Sequence, residues 1–315
     1  MSSEITTAFV KQFNNMLFHL SQQKGSRLEP AVRNESQRGE SQFFERLGPV
    51  AAVKRTGRHS DTPQIDTPHS RRRVTLVDYE WADLIDDQDK IRMLIDPASD
   101  YLQAAVWALG RAKDDEIIEK ANGNAYAGKE GGTIVAVSNS ERLVAHDGST
   151  TAPIKLNVKT LRAAKKYFDQ NEVDPSIKRC MAISSAQVQD GLLAEDELTS
   201  SDYNTVKALV GGEVDSFMGF KFIQLERLDN ADDLSAVNFA PADGSVGAGG
   251  GTIGSSAIKC FAWAQDGLLL SKGEDILTRI EERADKSFSN QVYARMSIGS
   301  TRMEESKYLE IICAE

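Results

Sequence analysis

Cysteine, histidine and long apolar runs are all scarce in this chain. Its 315 residues hold three cysteines, Cys180, Cys260 and Cys313. They stand far apart, each in an apolar stretch, which argues against a disulfide framework or a thiolate metal site and predicts buried free thiols. The four histidines, His19, His59, His69 and His146, show no ligand spacing such as H-E-x-x-H, and none neighbours a cysteine. No stretch approaches the roughly 18 to 20 apolar residues that span a bilayer. The N-terminus has no basic segment followed by an apolar run and a cleavage site, so a cytosolic product without a membrane partner is expected. Cations are also in the minority: 37 Lys and Arg against 47 Asp and Glu give a net charge of -10, which excludes a protein whose main surface grips nucleic acid.

Catalytic signatures are equally sparse. There is no phosphate-binding G-x-x-x-x-G-K-[ST] and no G-x-S-x-G elbow. Gly249 to Gly254 (GGGTIG) formally matches a dinucleotide fingerprint, but that motif needs a strand before the glycines and a helix after them. Here a Gly-rich loop over 238–256 precedes a β-prone run, so a loop is the better reading, and an enzymatic alternative rests on it alone. The acidic string DLIDDQDK (Asp83, Asp86, Asp87, Asp89) lacks the glycine and terminal glutamate of a calcium loop and reads as a solvated or interface patch. No catalytic residue, cofactor or metal is expected.

At roughly 150 residues per domain the length suggests about two domains, and 40% hydrophobic residues can build a core in each. Ile5, Phe9, Phe13, Met16, Leu17 and Leu20 recur at helical spacing, which predicts an amphipathic helix over 3–23. Residues 26–41 (RLEPAVRNESQRGES) show no period that would bury anything and read as an extended connector. FFERLGPVAAVKR and RRRVTLVDY flank a polar, proline-containing tip, which predicts a long β-hairpin from Phe43 to Val77. A projecting hairpin of that length needs a second body to lie on.

The charges sharpen this expectation. Residues 46–73 carry Arg46, Lys54, Arg55, Arg58, Arg71, Arg72 and Arg73 against two acids, a net of +5, while residues 78–100 net -6. Adjacent blocks of opposite sign can pair within a subunit or steer a basic hairpin onto an acidic neighbour. Asp96-Pro97 then opens a helix expected to run to Ala121, where Asn122-Gly123 stops it. Past Gly-rich residues 124–153, helix and strand alternate. A helix opens at Asn157 with Leu161, Ala164 and Phe168 on one face; KRCMAIS, FKFIQLERL and IKCFAWA read as buried strands; 184–193 and 202–210 read as helical. Runs at 276–282, 292–298 and 308–313 predict long antiparallel strands.

This order of parts resembles the major capsid proteins of tailed phages, which share the α+β Hong Kong 97-type capsid fold. The run RRRVTLVDYEWADLIDDQDKIRMLIDPASDYLQAAVWALGRAKDDEII is similar to that family's passage from extended loop into spine helix, and GGEVDSFMGFKFIQLERL to a buried axial-domain hairpin. The resemblance implies an N-terminal arm (1–42), an extended loop (43–80), a peripheral domain (81–152) with spine helix 97–121, an axial domain (153–272) and returning peripheral strands (273–315). It also implies self-assembly through pentamers and hexamers into a shell around double-stranded DNA contacted non-specifically, with scaffold, portal and decoration proteins as further partners. The expected places are the virion and, before assembly, the host cytoplasm. Subunit contacts are expected from Phe9, Phe13 and Leu17 of the arm, from Arg55, Arg58, Arg71, Arg72 and Arg73, and from Asp83, Asp86, Asp87 and Asp89. A cellular encapsulating shell protein shares these features, and a phage tail-tube protein shares the oligomeric habit but not the long helix.

Overall fold

A 25-residue helix needs a reason to keep a glycine in its interior, because Gly there costs about 1 kcal/mol relative to Ala. The reason lies in a chain crossing. The structure, a computed structural model, describes residues 21–55, 57–58, 64–86, 98–145, 153–194, 216–231, 237–238, 240–241, 250–251 and 257–315. In it helix α1 spans Ala98–Asn122, and a Cβ on Gly110 would stand 2.6 Å from Cα of Gly25. Gly25 itself has φ +76°, so both sides of the crossing lack the side chain that would separate them. Beside it, Lys24 lies over the Trp107 ring at 5.2 Å, and Arg111 donates to Gln22 Oε1 and to the Gln23 carbonyl at 3.0 and 3.1 Å. Gly110→Ala should therefore lose about 1–3 kcal/mol to overpacking, although in an open helix it would gain about 1 kcal/mol. Urea melts of the variant decide the sign, and unchanged or raised stability would mean that the crossing gives way.

The strands are β1 (Arg33–Ser36), β2 (Ser41–Leu47), β3 (His69–Thr75), β4 (Val77–Ile85), β5 (Ala125–Ala127), β6 (Thr133–Val135), β7 (Arg142–Val144), β8 (Arg179–Ile183), β9 (Ser216–Phe217) and β10 (Phe220–Gln224). They continue with β11 (Val237–Asn238), β12 (Ala240–Pro241), β13 (Gly250–Gly251), β14 (Ala257–Ala264), β15 (Leu268–Arg283), β16 (Ser289–Arg302) and β17 (Tyr308–Ala314). Helix α2 spans Val158–Gln170. The sheets are ordered β12-β7-β17-β14-β8-β10-β9, β1-β15-β16-β4 and β2-β3-β5-β6, with a small β11-β13 pair. The chain divides into two compact units, one of Met1–Ser26, Asp78–Ala112 and Glu274–Ser297, the other of Arg27–Val77, Lys113–Gly273 and Ile298–Glu315.

The larger unit is built on the seven-stranded sheet. Its central strands β14 and β8 are buried at every position, which is why, Lys259 and Arg179 apart, they read as near-continuous apolar runs rather than alternating ones. On one face α2 packs Leu161, Ala164 and Phe168 against Met181, Ile183, Phe220 and Ile311, after Asn157 caps it by accepting from the Thr160 amide at 2.8 Å. Cys180, Cys260 and Cys313 are all buried free thiols. Phe261, Trp263 and Tyr308 form an aromatic group with centroids 5.0 and 6.1 Å apart, and the Trp263 indole donates to the Ala31 carbonyl at 2.9 Å.

Four expectations change here. Residues 26–41 are not a bare connector: Leu28, Ala31 and Val32 are core residues, and β1 runs parallel to β15 from Arg33↔Leu269 to Ser36↔Lys272. Their short apolar set has no period of its own because a strand more than 230 residues away supplies the partner. Asp114 accepts the Arg27 and Leu28 amides at 3.0 Å, and Glu29 pairs with Lys113 at 3.1 Å and with Lys272. Burial works to raise the Glu29 carboxyl, and the two ammonium groups outweigh it and hold it below the usual range.

The hairpin strand expected to run through Lys54 ends at Leu47, and the run after Arg71 splits at Leu76 into β3 and β4, which belong to different sheets. Two glycines make room for that switch, since a Cβ on Gly273 would strike Leu76 Cδ1 at 2.4 Å and one on Gly299 the Thr75 carbonyl at 2.5 Å. The final strand β17, grouped in the sequence reading with the two long strands before it, instead pairs with β14 and β7 inside the seven-stranded sheet. Part of the Gly-rich loop forms the short strands β11, β12 and β13. The 184–193 stretch is helical, with a π turn at Gln187–Gly191. The 3–23 helix up to residue 20, the Asp96-Pro97 cap and the 202–210 helix lie outside the described residues.

Candidate subunit-contact surface

Strands β2 and β3 pair antiparallel in the register Phe43↔Arg73, Phe44↔Arg72 and Glu45↔Arg71. Since side chains alternate along a strand, the three consecutive arginines cannot share a fate. Arg72 turns to the same side as Val74, which packs with Leu269, Met303 and Phe44. Its side chain is 1% exposed and is ion-paired with Glu305 of the same chain, while Nε and Nη1 meet no acceptor among the described residues. Burial, with the Arg46 and Arg302 cations nearby, brings the Arg72 guanidinium down to about 10 against the pull of Glu141. Arg46 is also consumed internally, by the Met303 carbonyl and by Glu305 at 3.4 Å.

Arg71 and Arg73 face outward. Arg71 lies 3.8 Å from Glu45 and over the Phe43 ring at 5.6 Å; Arg73 lies over the Tyr126 ring of β5 at 5.1 Å. Cation–aromatic contacts of this kind fix the side chains without neutralising a charge, so Arg71 is countered by Glu45 at long range and Arg73 faces a ring. Beyond the strands, the Gly48 amide donates to the Pro68 carbonyl at 2.8 Å and closes the neck of the connecting segment. Leu47, at the end of β2, is 69% exposed, and past the neck Val53 is 61% exposed, with Val50 and Ile65 also in water. Lys54, Arg55 and Arg58 are exposed among them, and Arg55 donates to the Gly57 carbonyl at 2.6 Å. Apolar side chains interleaved with cations, on a segment that one subunit leaves uncovered, are the composition of an association surface.

The acidic candidates divide similarly. Asp83 and Asp86 are exposed; Asp83 accepts the Leu84 amide at 2.8 Å, and Asp86 accepts from the Ser289 hydroxyl. Phe9, Phe13, Leu17, Asp87 and Asp89 lie outside the described residues. Arg72 is corrected from a contact residue to an interior one, and with Arg46 it reduces the basic charge that the hairpin offers outward. The alternation of Arg72 with Val74 was the available signal. No local signal pointed to Glu305, which lies 233 residues downstream of Arg72. Among the described residues no group of three or more His, Cys, Asp or Glu side chains is placed to hold a metal ion, and no helix is long and apolar enough to cross a membrane.

A family model described as phage capsid protein matches residues 5–315. The chain belongs to the phage capsid protein family. It is a major capsid protein, a structural component of the phage shell in the virion, and the family match sets aside the tail-tube and cellular-compartment alternatives. No curated protein matches it in sequence. Among solved structures, it is similar to the capsid of the cyanophage P-SCSP1u, at TM-score 0.70 and 14% identity, covering 100% of this chain and 96% of that one. It is also similar to the acid-stable capsid of Helicobacter pylori bacteriophage KHP30, at TM-score 0.68 and 10% identity over 100% and 98% of the two chains. The capsid of a native GTA particle matches at TM-score 0.64 and 10% identity, covering 99% and 98%. At these identities the likeness is one of fold, the Hong Kong 97-type capsid fold, and the capsid protein shares it along its whole length.

Proposed function

We propose that this capsid protein builds its shell through pentamers and hexamers in which the segment between β2 and β3 lies on a neighbouring subunit. The observation that carries this is the set of exposed apolar residues Val50, Val53 and Ile65, with Leu47 at the end of β2, interleaved with Lys54, Arg55 and Arg58 on a segment closed at its neck by the Gly48–Pro68 hydrogen bond. A hydrophobic contact between identical subunits, placed head to tail, closes into rings and then into a shell. The acidic segment 78–100, including Asp83 and Asp86, is the proposed landing surface because its sign complements the hairpin, and residues Phe9, Phe13 and Leu17 form a second latch.

The protein acts as structure without catalysis. Scaffold, portal and decoration proteins are its proposed further partners, with assembly in the host cytoplasm. Packaged double-stranded DNA is held without sequence preference, and the net charge of -10 keeps that grip weak. The test is negative-stain electron microscopy with light scattering on the protein expressed alone. Closed shells or five- and six-membered rings are expected, and a monomer or dimer at every concentration would overturn the reading.

A further inference from the structure

Helix α2 buries Val158, Thr160, Leu161, Ala164 and Phe168, which leaves Lys159, Arg162, Lys165 and Lys166 exposed on its outer side. Its one acid, Asp169, is bound by Arg179 at 2.8 Å, and Lys165 and Lys166 stand exposed beside it in a chain whose net charge is -10. Two shallow grooves adjoin there. One is lined by Arg162, Lys165, Lys166, Asp169, Gln170 and Met218; the other includes Lys178, Lys221 and, again, Met218.

Met218 is an unusual choice for its place. It and Gly219 form the two-residue turn between β9 and β10, with φ +52° and +89°, the geometry that favours Asn or Gly at the first position. A methionine held in that strained conformation sets a half-buried, adaptable thioether at the junction of two cationic grooves. Such a surface fits an acidic segment that also carries apolar side chains. The chain contains one: from Asp190 to Asp202 it has Asp190, Glu195, Asp196, Glu197 and Asp202, no base, and Leu192, Leu193 and Leu198. Asp190 is already engaged by Lys155 at 2.5 Å within its own subunit.

We propose that the groove of Lys165, Lys166, Lys178, Lys221 and Met218 receives the acidic segment 195–202 of a second copy. This rests on the ring-forming reading above and assigns one of its contacts. Like charges placed together at an interface oppose association, so K165E/K166E and E195K/D196K/E197K should each lower the yield of rings and shells by about tenfold or more while the subunits remain folded by circular dichroism. Mixed one to one, the two variants should recover assembly as alternating six-membered rings, because each groove then meets an oppositely charged segment from the other variant, and an odd ring cannot alternate.

Electron microscopy and light scattering read all of this, with the wild type assembled in parallel. Recovery on mixing supports the contact between copies. Failure of the mixture, with recovery only when both reversals are combined in one chain, would place the pairing within a subunit and overturn the proposal. Normal shells from K165E/K166E that retain less DNA would make the groove a phosphate-backbone surface and likewise overturn it. Unaltered variant shells beside wild-type shells would overturn the groove alone, whereas a wild type that forms neither rings nor shells would overturn the ring reading with it.

Discussion

Replacing Arg302 with methionine is expected to cost about 3–5 kcal/mol of subunit stability, the range for removing one member of a buried, hydrogen-bonded charge network. Arg302 is fully buried, and its guanidinium ends the long helix from outside: Nη1 donates to the carbonyls of Ala121, at 2.6 Å, and Gly123, while Nη2 donates to Val135 at 3.0 Å. The last carbonyls of any helix lack intrahelical donors, and a cation there also complements the negative end of the helix dipole. Tyr308 stacks beneath the guanidinium at 5.4 Å and donates to Asn122 Oδ1 at 2.7 Å, and Asn122 in turn donates to Asp229 at 2.7 Å. Methionine matches the volume but leaves three carbonyls without their donor, each worth about 1–3 kcal/mol when buried. Urea denaturation of the unassembled subunit measures this. A loss under about 1 kcal/mol would mean that water replaces the guanidinium and that Arg302 does not hold the helix end. Arg302→Lys should fall between, since one ammonium cannot reach all three acceptors in the fork geometry of arginine.

This node shows where sequence reading stops. The helix itself was legible from Leu109, Ile117 and Ala121 at helical spacing and from Asn122-Gly123 at its end. Arg302 was not legible as its cap, because nothing within a strand distinguishes an arginine that meets solvent from one aimed at a helix some 180 residues earlier. The same limit applies to Leu28, Ala31 and Val32, buried in a stretch whose partners, β15 beside Arg33–Ser36 and Trp263 on the Ala31 carbonyl, lie more than 230 residues away. Strands β14 and β8 were legible because a strand buried on both faces writes a near-continuous apolar run into the sequence. Gly110 carried a partial signal, as a glycine inside a helical period, but its meaning required Gly25 on the crossing chain.

The arginine triplet gives the second large effect and separates folding from assembly. Arg72→Glu places a carboxylate beside Glu305 in a buried site, and the loss of the ion pair plus the new repulsion should cost about 3–5 kcal/mol or more, enough to leave much of the subunit unfolded against the about 5–15 kcal/mol typical of a folded domain. Arg71→Glu and Arg73→Glu act on half-buried positions of the opposite face, where an ion pair or a ring contact contributes about 0–1 kcal/mol. The double variant R71E/R73E should therefore melt within about 2 kcal/mol of the wild type on the same scale and yet fail to close shells, because two charges of the hairpin's outer face have changed sign. Urea melts and electron microscopy on the same preparations check both halves. Normal shells from R71E/R73E would remove the outer face of the hairpin from the subunit contact, and a stable, soluble Arg72→Glu subunit would mean that the Glu305 pair does not hold the hairpin to its own chain. A triple reversal cannot make this distinction, since the buried middle residue would unfold the subunit before its neighbours could be tested for assembly.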